Sequence, residues 1–255
     1  MPEHTSFLTL LLSHAKETLD HNATMLGKSF VGGQQANWHS WEPFIAAILV
    51  ALLLIVIGLV VRSRLSRYEE AVVPEAKLTL VTFMEVFIGY FYELAKSIMG
   101  PERAKKYFGV VGAAACFIFF SNVMALIPGF PVPTTSLSIT LGTALVVFIL
   151  FNIYGLKENG WAYIKHLAGP AWYIAPLMFV IELISLLVRP LTLSVRLMLN
   201  MAVDHLIVGI FAGILAVLVP LPFMLLGCLV IIVQTLVFTM LTCVYIGLAT
   251  EHEAH

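Results

Sequence analysis

The sequence predicts an all-α membrane protein. About five transmembrane helices are expected, plus one interfacial amphipathic helix, with the last two helices long and strongly tilted. Three observations carry this. First, 60% of the 255 residues are apolar and only 11% are charged, against about 25% charged in soluble domains. Second, the apolar residues gather into runs of membrane-crossing length, and mean hydropathy is +0.96. Third, one further run carries polar residues at helical spacing. This composition cannot cover a soluble domain of the same size with polar surface. It also excludes a disordered, collagen-like or disulfide-scaffold chain. A net charge of −1 gives no support to a nucleic-acid partner. Cys116, Cys228 and Cys243 lie in apolar runs without CxxC spacing and are read as small free hydrophobes.

The first span is expected at 43–61, long enough at about 29 Å to cross one hydrocarbon core. Trp38 and Trp41 flank its front edge, and Arg62, Arg64 and Arg67 follow it. The positive-inside rule then puts the N-terminus outside and the arginines in the cytoplasm. The organisation expected is an external segment, 1–42, without a secretory signal, followed by a single membrane domain, 43–255. Segment 78–98 is amphipathic: Thr82, Glu85, Gly89, Glu93 and Lys96 form a polar stripe on one helix face. Arg103, Lys105 and Lys106 come next. If the segment lies in the interface, both basic clusters stay on the cytoplasmic side, so an interfacial helix is predicted.

Residues 107–127 form the next span, and no charge occurs between Lys106 and Lys157. The turn containing Pro128, Gly129, Pro131 and Pro133 is therefore read as external, with 137–156 as the return span. The loop 157–170, with Lys157, Lys165 and His166, fits the cytoplasm. The run 177–219 contains one proline, Pro190. As a single helix it would be about 65 Å long, about twice a bilayer core, so it must tilt or bend. The last run, 221–249, is about 43 Å long and is also oblique. Five crossings place the C-terminus in the cytoplasm.

Between 171 and 250 the formally charged residues are Glu182, Arg189, Arg196 and Asp204, with His205 as a further titratable group. A charge near the bilayer centre costs about 2.5–3.5 kcal/mol on insertion scales, so each needs a reason. Glu182, Arg189 and Arg196 are spaced by seven and line one helix face, drifting about 20° per step. Asn200 is one turn past Arg196. His205 is about 180° round from Arg196. Arg189 can pair with Glu182, whereas Arg196 lies about 21 Å from Glu182 along the axis, out of reach. Arginine stays protonated, so it cannot relay protons. It can force a nearby carboxylate to ionise.

The stretch 189–201, RPLTLSVRLMLNM, resembles the signature of subunit a of the F-type ATP synthase. Glu182 and Ser185 upstream, Gln234 in the run 234–252, FSNVMALIPG at 120–129 and PTTSLSITL at 133–141 are also similar to that family. The resemblance implies a stator subunit of a rotary ATP synthase with no catalytic site of its own. It would provide two proton half-channels at the interface with the c-subunit ring, coupling proton flow to rotation and ATP synthesis. The other implied partners are the subunit b stator stalk, the rest of the complex and the lipid bilayer. No cofactor, metal or direct nucleotide binding is implied, and a bacterial inner membrane is the expected location. Arg196 would face the ring between the half-channels, with Asn200 and Gln234 beside it. Glu182 would line the cytoplasmic-side path and His205 the other.

The chain departs from the family pattern in places. The family pairs a carboxylate and a histidine between the position of His205 and one on the last helix, where this chain has Gly227. Asp204 is the nearest substitute. Ser136 and Ser138 stand where the family often has Asp or Asn. Weaker signals are read as incidental: Gly27-Lys28-Ser29 lacks the first glycine of a phosphate loop, Asn22-Ala23-Thr24 is a short sequon, and 251–255 is not HExxH. Gly209 and Gly213 make a small packing patch. The alternative function is a proton-coupled secondary transporter, which would normally show an inverted repeat; the two hairpins here do not resemble each other. An intramembrane enzyme would need a motif such as HExxH or GxSxG, and neither occurs.

Overall fold

A computed structural model describes residues 41–65, 79–127, 130, 132–160, 175–214 and 220–250. Within these, the side chains of residues 65, 175, 176, 183, 205, 209, 211–214, 220 and 221 fall outside the description. The expected N-terminal segment with Trp38, Arg67, the apex of the 128–131 turn, most of the 157–170 loop and residues 251–255 lie outside the described residues.

Among the described residues six α-helices follow one another: α1 Glu42–Leu65, α2 Leu80–Met99, α3 Pro101–Val123, α4 Leu137–Asn159, α5 Ala175–Ile214 and α6 Pro220–Ala249. Short 3-10 turns occupy Met124–Leu126 and Pro133–Thr135 between α3 and α4. No strand occurs among the described residues. Among the described residues five helices are long and apolar enough to cross a membrane: α1, α3, α4, α5 and α6. The sixth, α2, is not among them.

Helix α2 buries Met84, Phe91, Ala95 and Met99 along one face. Spacings of seven, four and four keep those residues on one side of a 3.6-residue period. Glu85, Glu93 and Lys96 face away from the protein, and Lys96 pairs with Glu93 at 3.2 Å. Thr79 caps the start by accepting from the Thr82 amide, which satisfies one of the orphan donors of the first turn. The end is set by Gly100, whose φ of +83° places it in the left-handed region open to glycine. Its N–H returns to the Lys96 carbonyl at 3.0 Å. Pro101 then opens α3 at a position where a missing N–H costs nothing.

That Gly-Pro junction moves the start of α3 six residues before the expected 107. Arg103, Lys105 and Lys106 thus ride on its first turns. The basic residues do not bound the helix; the glycine and proline at 100 and 101 do. Similarly α4 continues through Lys157 to Asn159 and stops at Gly160, at φ +52°. Helix α5 runs unbroken through Pro190, and α6 starts within one residue of the expected place.

Two apolar clusters hold the bundle. Ala95, Met99, Tyr107, Val111, Phe151, Leu186, Cys243 and Ile246 join α2 through α6. Ala114, Ile118, Ala144, Val147, Leu193, Leu197 and Phe238 join α3, α4, α5 and α6. Alanines at the contacts let helix backbones approach closely, the usual means of packing where lipid tails compete with apolar side chains. Helix α1 sits at the rim. Ala46, Val50 and Ile57 are buried, while Ile48, Leu52, Ile55, Val56 and Leu59 are exposed.

One end of the bundle is tied by polar contacts. Lys106 and the Tyr107 hydroxyl both reach the Glu158 carboxylate. The Asn159 side-chain amide donates to the Ala249 carbonyl at 3.1 Å. The start of α3 and the ends of α4 and α6 therefore share one end.

Candidate functional site

Helix α5 carries most of the predicted site, and α6 supplies the rest. Arg196 stands within two residues of the midpoint of α5. Its side chain is exposed, and it has no ion-pair partner among the described residues. Ser194, Leu197 and Met201, turned about 100° or more round the helix from it, are buried. The packing of that side orients the guanidinium outward.

Asn200, one turn on, donates through Nδ2 to Oε1 of Gln234 at 2.8 Å. Gln234 lies within one residue of the midpoint of α6 and is 3% exposed. The two long helices are thus linked by an amide–amide bond near their centres. Gln234 Nε2 is buried and has no partner among the described residues. In a membrane interior an unmet donor of this kind costs on the order of 1–3 kcal/mol, so it favours a polar visitor beside the pair.

That space exists. A cavity of about 320 Å³ is lined by Leu199, Asn200, Val203, Asp204, Leu229, Val230, Val233 and Gln234. Asp204 is half-buried, and its Oδ2 is buried without a partner among the described residues. The residues that carry the unmet carboxylate oxygen and the unmet amide donor thus both border the cavity. It is large enough for several waters, each of which needs two to four polar partners to be held. The side chain of His205 lies outside the described residues; its backbone belongs to α5. Gly227 on α6 has no neighbour within 4 Å of where a Cβ would stand.

The other charged pair lies toward the start of α5. Arg189 Nη2 is 3.5 Å from Glu182 Oε1, so the pairing expected from the seven-residue spacing is present. Arg189 also sits over the ring of Tyr245 on α6, 5.4 Å from its centroid. Tyr245 in turn packs on Phe151 of α4, at 5.9 Å between centroids. The sequence reading did not single out Tyr245. One aromatic residue in an apolar run carries no signal until α6 is laid against α5.

A second polar cluster lies within the runs 120–129 and 133–141. Ser121, Asn122, Thr134 and Thr140 are all at most 1% exposed. Thr134 donates to Asn122 Oδ1 at 2.7 Å. Ser121 Oγ and Asn122 Nδ2 are buried without partners among the described residues. The detectable signal was adjacent polar residues inside an otherwise apolar helix. Ser136 is half-buried and Ser138 exposed, so the structure places these two less deeply than Thr134. No group of three or more metal-ligating side chains occurs among the described residues.

Known proteins resemble this chain along most of its length. The family model described as ATP synthase A chain matches residues 44–247. The ATP synthase subunit a of Sorangium cellulosum is 55% identical over 255 residues, covering the whole of both chains. The ATP synthase subunit a 1 of Syntrophotalea carbinolica is 41% identical over 217 residues, 85% of this chain and 86% of that one. The ATP synthase subunit a of Geobacter sulfurreducens is 42% identical over 202 residues, 79% of this chain and 86% of that one. With the match running from the first membrane-length helix to the last, the chain belongs to the ATP synthase subunit a family.

Proposed function

We propose that the chain is the stator subunit of a rotary ATP synthase, and that it forms two proton half-channels against a ring of c subunits. It performs no bond chemistry itself; its part is to move protons and so couple their flow to rotation. The observation that carries this reading is Arg196. An exposed guanidinium at the middle of a membrane-length helix, with no counter-ion among the described residues, is costly in lipid. The cost falls if a partner subunit presents a carboxylate at that depth. Arginine ionises such a carboxylate on arrival and, being permanently charged, it repels a bare proton passing directly between the half-channels.

In this reading the other residues take the following roles. Asn200 and Gln234 flank Arg196 and hold α5 and α6 in register. Glu182 lines the cytoplasmic-side path. Asp204 and His205 serve the external-side path, where the cavity offers water a route to the same depth. Asp204 takes the place of the ionisable partner that His205 lacks because position 227 is glycine. The basic residues support a cytoplasmic C-terminus. Arg62 and Arg64 end α1, Arg103, Lys105 and Lys106 open α3, and Lys157 ends α4. If α2 lies in the interface, all fall on one side, as the positive-inside rule requires. The end of α6 is tied to that same side through Asn159. Residues 1–42 then form an external segment ahead of a membrane domain, 43–255. The partners in this reading are the c ring, the subunit b stalk and the rest of the synthase in a bacterial inner membrane.

The test is ATP-driven proton pumping in inverted membrane vesicles. Arg196→Ala should abolish pumping while the variant subunit still co-purifies with the complex. Pumping at the wild-type level would overturn the reading.

A further inference from the structure

Two arginines occupy one face of α5, seven residues and about 10 Å apart. Their surroundings differ. Arg189 is bracketed by the Glu182 carboxylate at 3.5 Å and by the Tyr245 ring at 5.4 Å. Arg196 has neither kind of neighbour among the described residues. We propose that Glu182 and Tyr245 act as a charge-cancelling clamp on Arg189, which leaves Arg196 the single cation on this face that a carboxylate of the partner ring can meet. The inference rests on the reading of Arg196 given above.

The physical need is plain. A carboxylate that stops at Arg196 must not find an equally attractive stop one step along the same face. At an effective dielectric of about 20, two unit charges about 10 Å apart still interact strongly enough to bias an equilibrium about tenfold. An unpaired Arg189 would therefore hold back an arriving carboxylate and oppose its release. Pairing with Glu182 removes the net charge. The Tyr245 ring occupies the guanidinium face, where a cation is attracted by the ring quadrupole. Because Tyr245 is itself packed on Phe151, the clamp is anchored to α4 and α6 as well as to α5. The pair spans two helical turns, a longer reach than the usual three- or four-residue spacing of helix ion pairs. A second fixed contact on Arg189 is what holds that extended geometry. In this arrangement Tyr245 is a positioning residue: it acts on protons only through Arg189.

This separates two roles for Glu182 that a single substitution confounds. If Glu182 only lines a path, then removing Arg189 as well cannot help. If Glu182 also cancels Arg189, the second removal restores function. The experiment compares ATP-driven pumping in inverted vesicles for Glu182→Gln, Glu182→Asp and the double variant Glu182→Gln/Arg189→Met. Subunit content is checked by co-purification and rates are normalised to ATP hydrolysis. The expected result is about a tenfold loss for Glu182→Gln, recovered about threefold or more in the double variant. Glu182→Asp keeps a titratable carboxyl but is one methylene shorter across two turns, so it should lose activity too. Tyr245→Leu should lower pumping by a smaller factor, and Arg189→Met should suppress that loss as well. A Glu182→Gln variant that fails to assemble, with a double variant that assembles, is the same rescue read at an earlier stage. A double variant no better than Glu182→Gln, or a fully active Glu182→Asp, overturns the clamp. Arg196→Ala in the double background keeps the underlying reading separate. Pumping that survives there would refute the role of Arg196 itself, whatever the clamp does.

Discussion

From 182 to 189, α5 meets its charges: Glu182 pairs with Arg189, and Arg189 lies on Tyr245. From 196 to 204 the same helix leaves them open. Among the described residues, Arg196 has no counter-ion and a buried oxygen of Asp204 has no partner. Each stretch carries one arginine and one acid, seven residues apart in the first and eight in the second. The difference comes from what faces them. The first stretch has an aromatic ring of α6 against it, whereas the second borders a cavity of about 320 Å³. The lesson is that a charge satisfied within the chain serves architecture. A charge left unmet at membrane depth costs several kcal/mol and persists where a mobile proton or a partner's carboxylate completes it.

The largest expected effect tests whether the open half needs arginine itself. Arg196→Lys should pump at about 1% of the wild-type rate or less, since lysine loses its proton readily when buried and lacks the planar fork. Near-normal pumping would mean that a bare positive charge suffices.

Next come the acids and bases of the open half. Asp204→Asn should slow pumping about tenfold, and Asp204→Glu should retain more, because a carboxyl can still take and give a proton. His205→Ala should slow pumping by a smaller factor, since water can still carry protons through a widened path. His205→Glu should retain more than His205→Ala and should shift the pH profile of pumping, as a relay group with a different intrinsic pKa would. An unchanged profile with lower complex yield would make His205 a packing residue. Wild-type rate and profile in both Asp204→Asn and His205→Ala would move the external path elsewhere, first to Ser121, Asn122 and Thr134.

A smaller loss, several-fold, is expected for Gln234→Leu. It removes the 2.8 Å bond from Asn200 while keeping a side chain of similar volume. If pumping is unaltered, the amide bond has no part in holding the two helices. The smallest effect on activity should come from single cysteines at Thr82 and Ser97, placed to test α2. A membrane-impermeant thiol reagent should label both from the cytoplasmic side. Labelling of one from each side would make α2 a sixth crossing and invert the topology argument.

Much of this was legible in the residues alone. A hydrocarbon core of about 30 Å demands long apolar runs, so α1, α3, α4 and the two overlong helices announce themselves. The polar stripe of α2 sets it apart for the same reason. Charges inside such runs are expensive, which is why Glu182, Arg189, Arg196 and Asp204 stood out, and their spacing put the first three on one face. Where the helices begin was less legible at α3, because Gly100 and Pro101 mark a start that the charge of Arg103 and Lys106 obscures.

Spacing along one helix says which side chains share a face, but not what lies opposite. Only the packing of α6 and α4 against α5 decided that Arg189 meets Tyr245 while Arg196 remains open. The same packing brought Asn200 to Gln234 and set Asp204 on a cavity. These contacts join residues 34 or more positions apart in the chain. A periodicity of 3.6 carries no record of a neighbour that far away, because such contacts depend on how whole helices cross and on which small residues let them close.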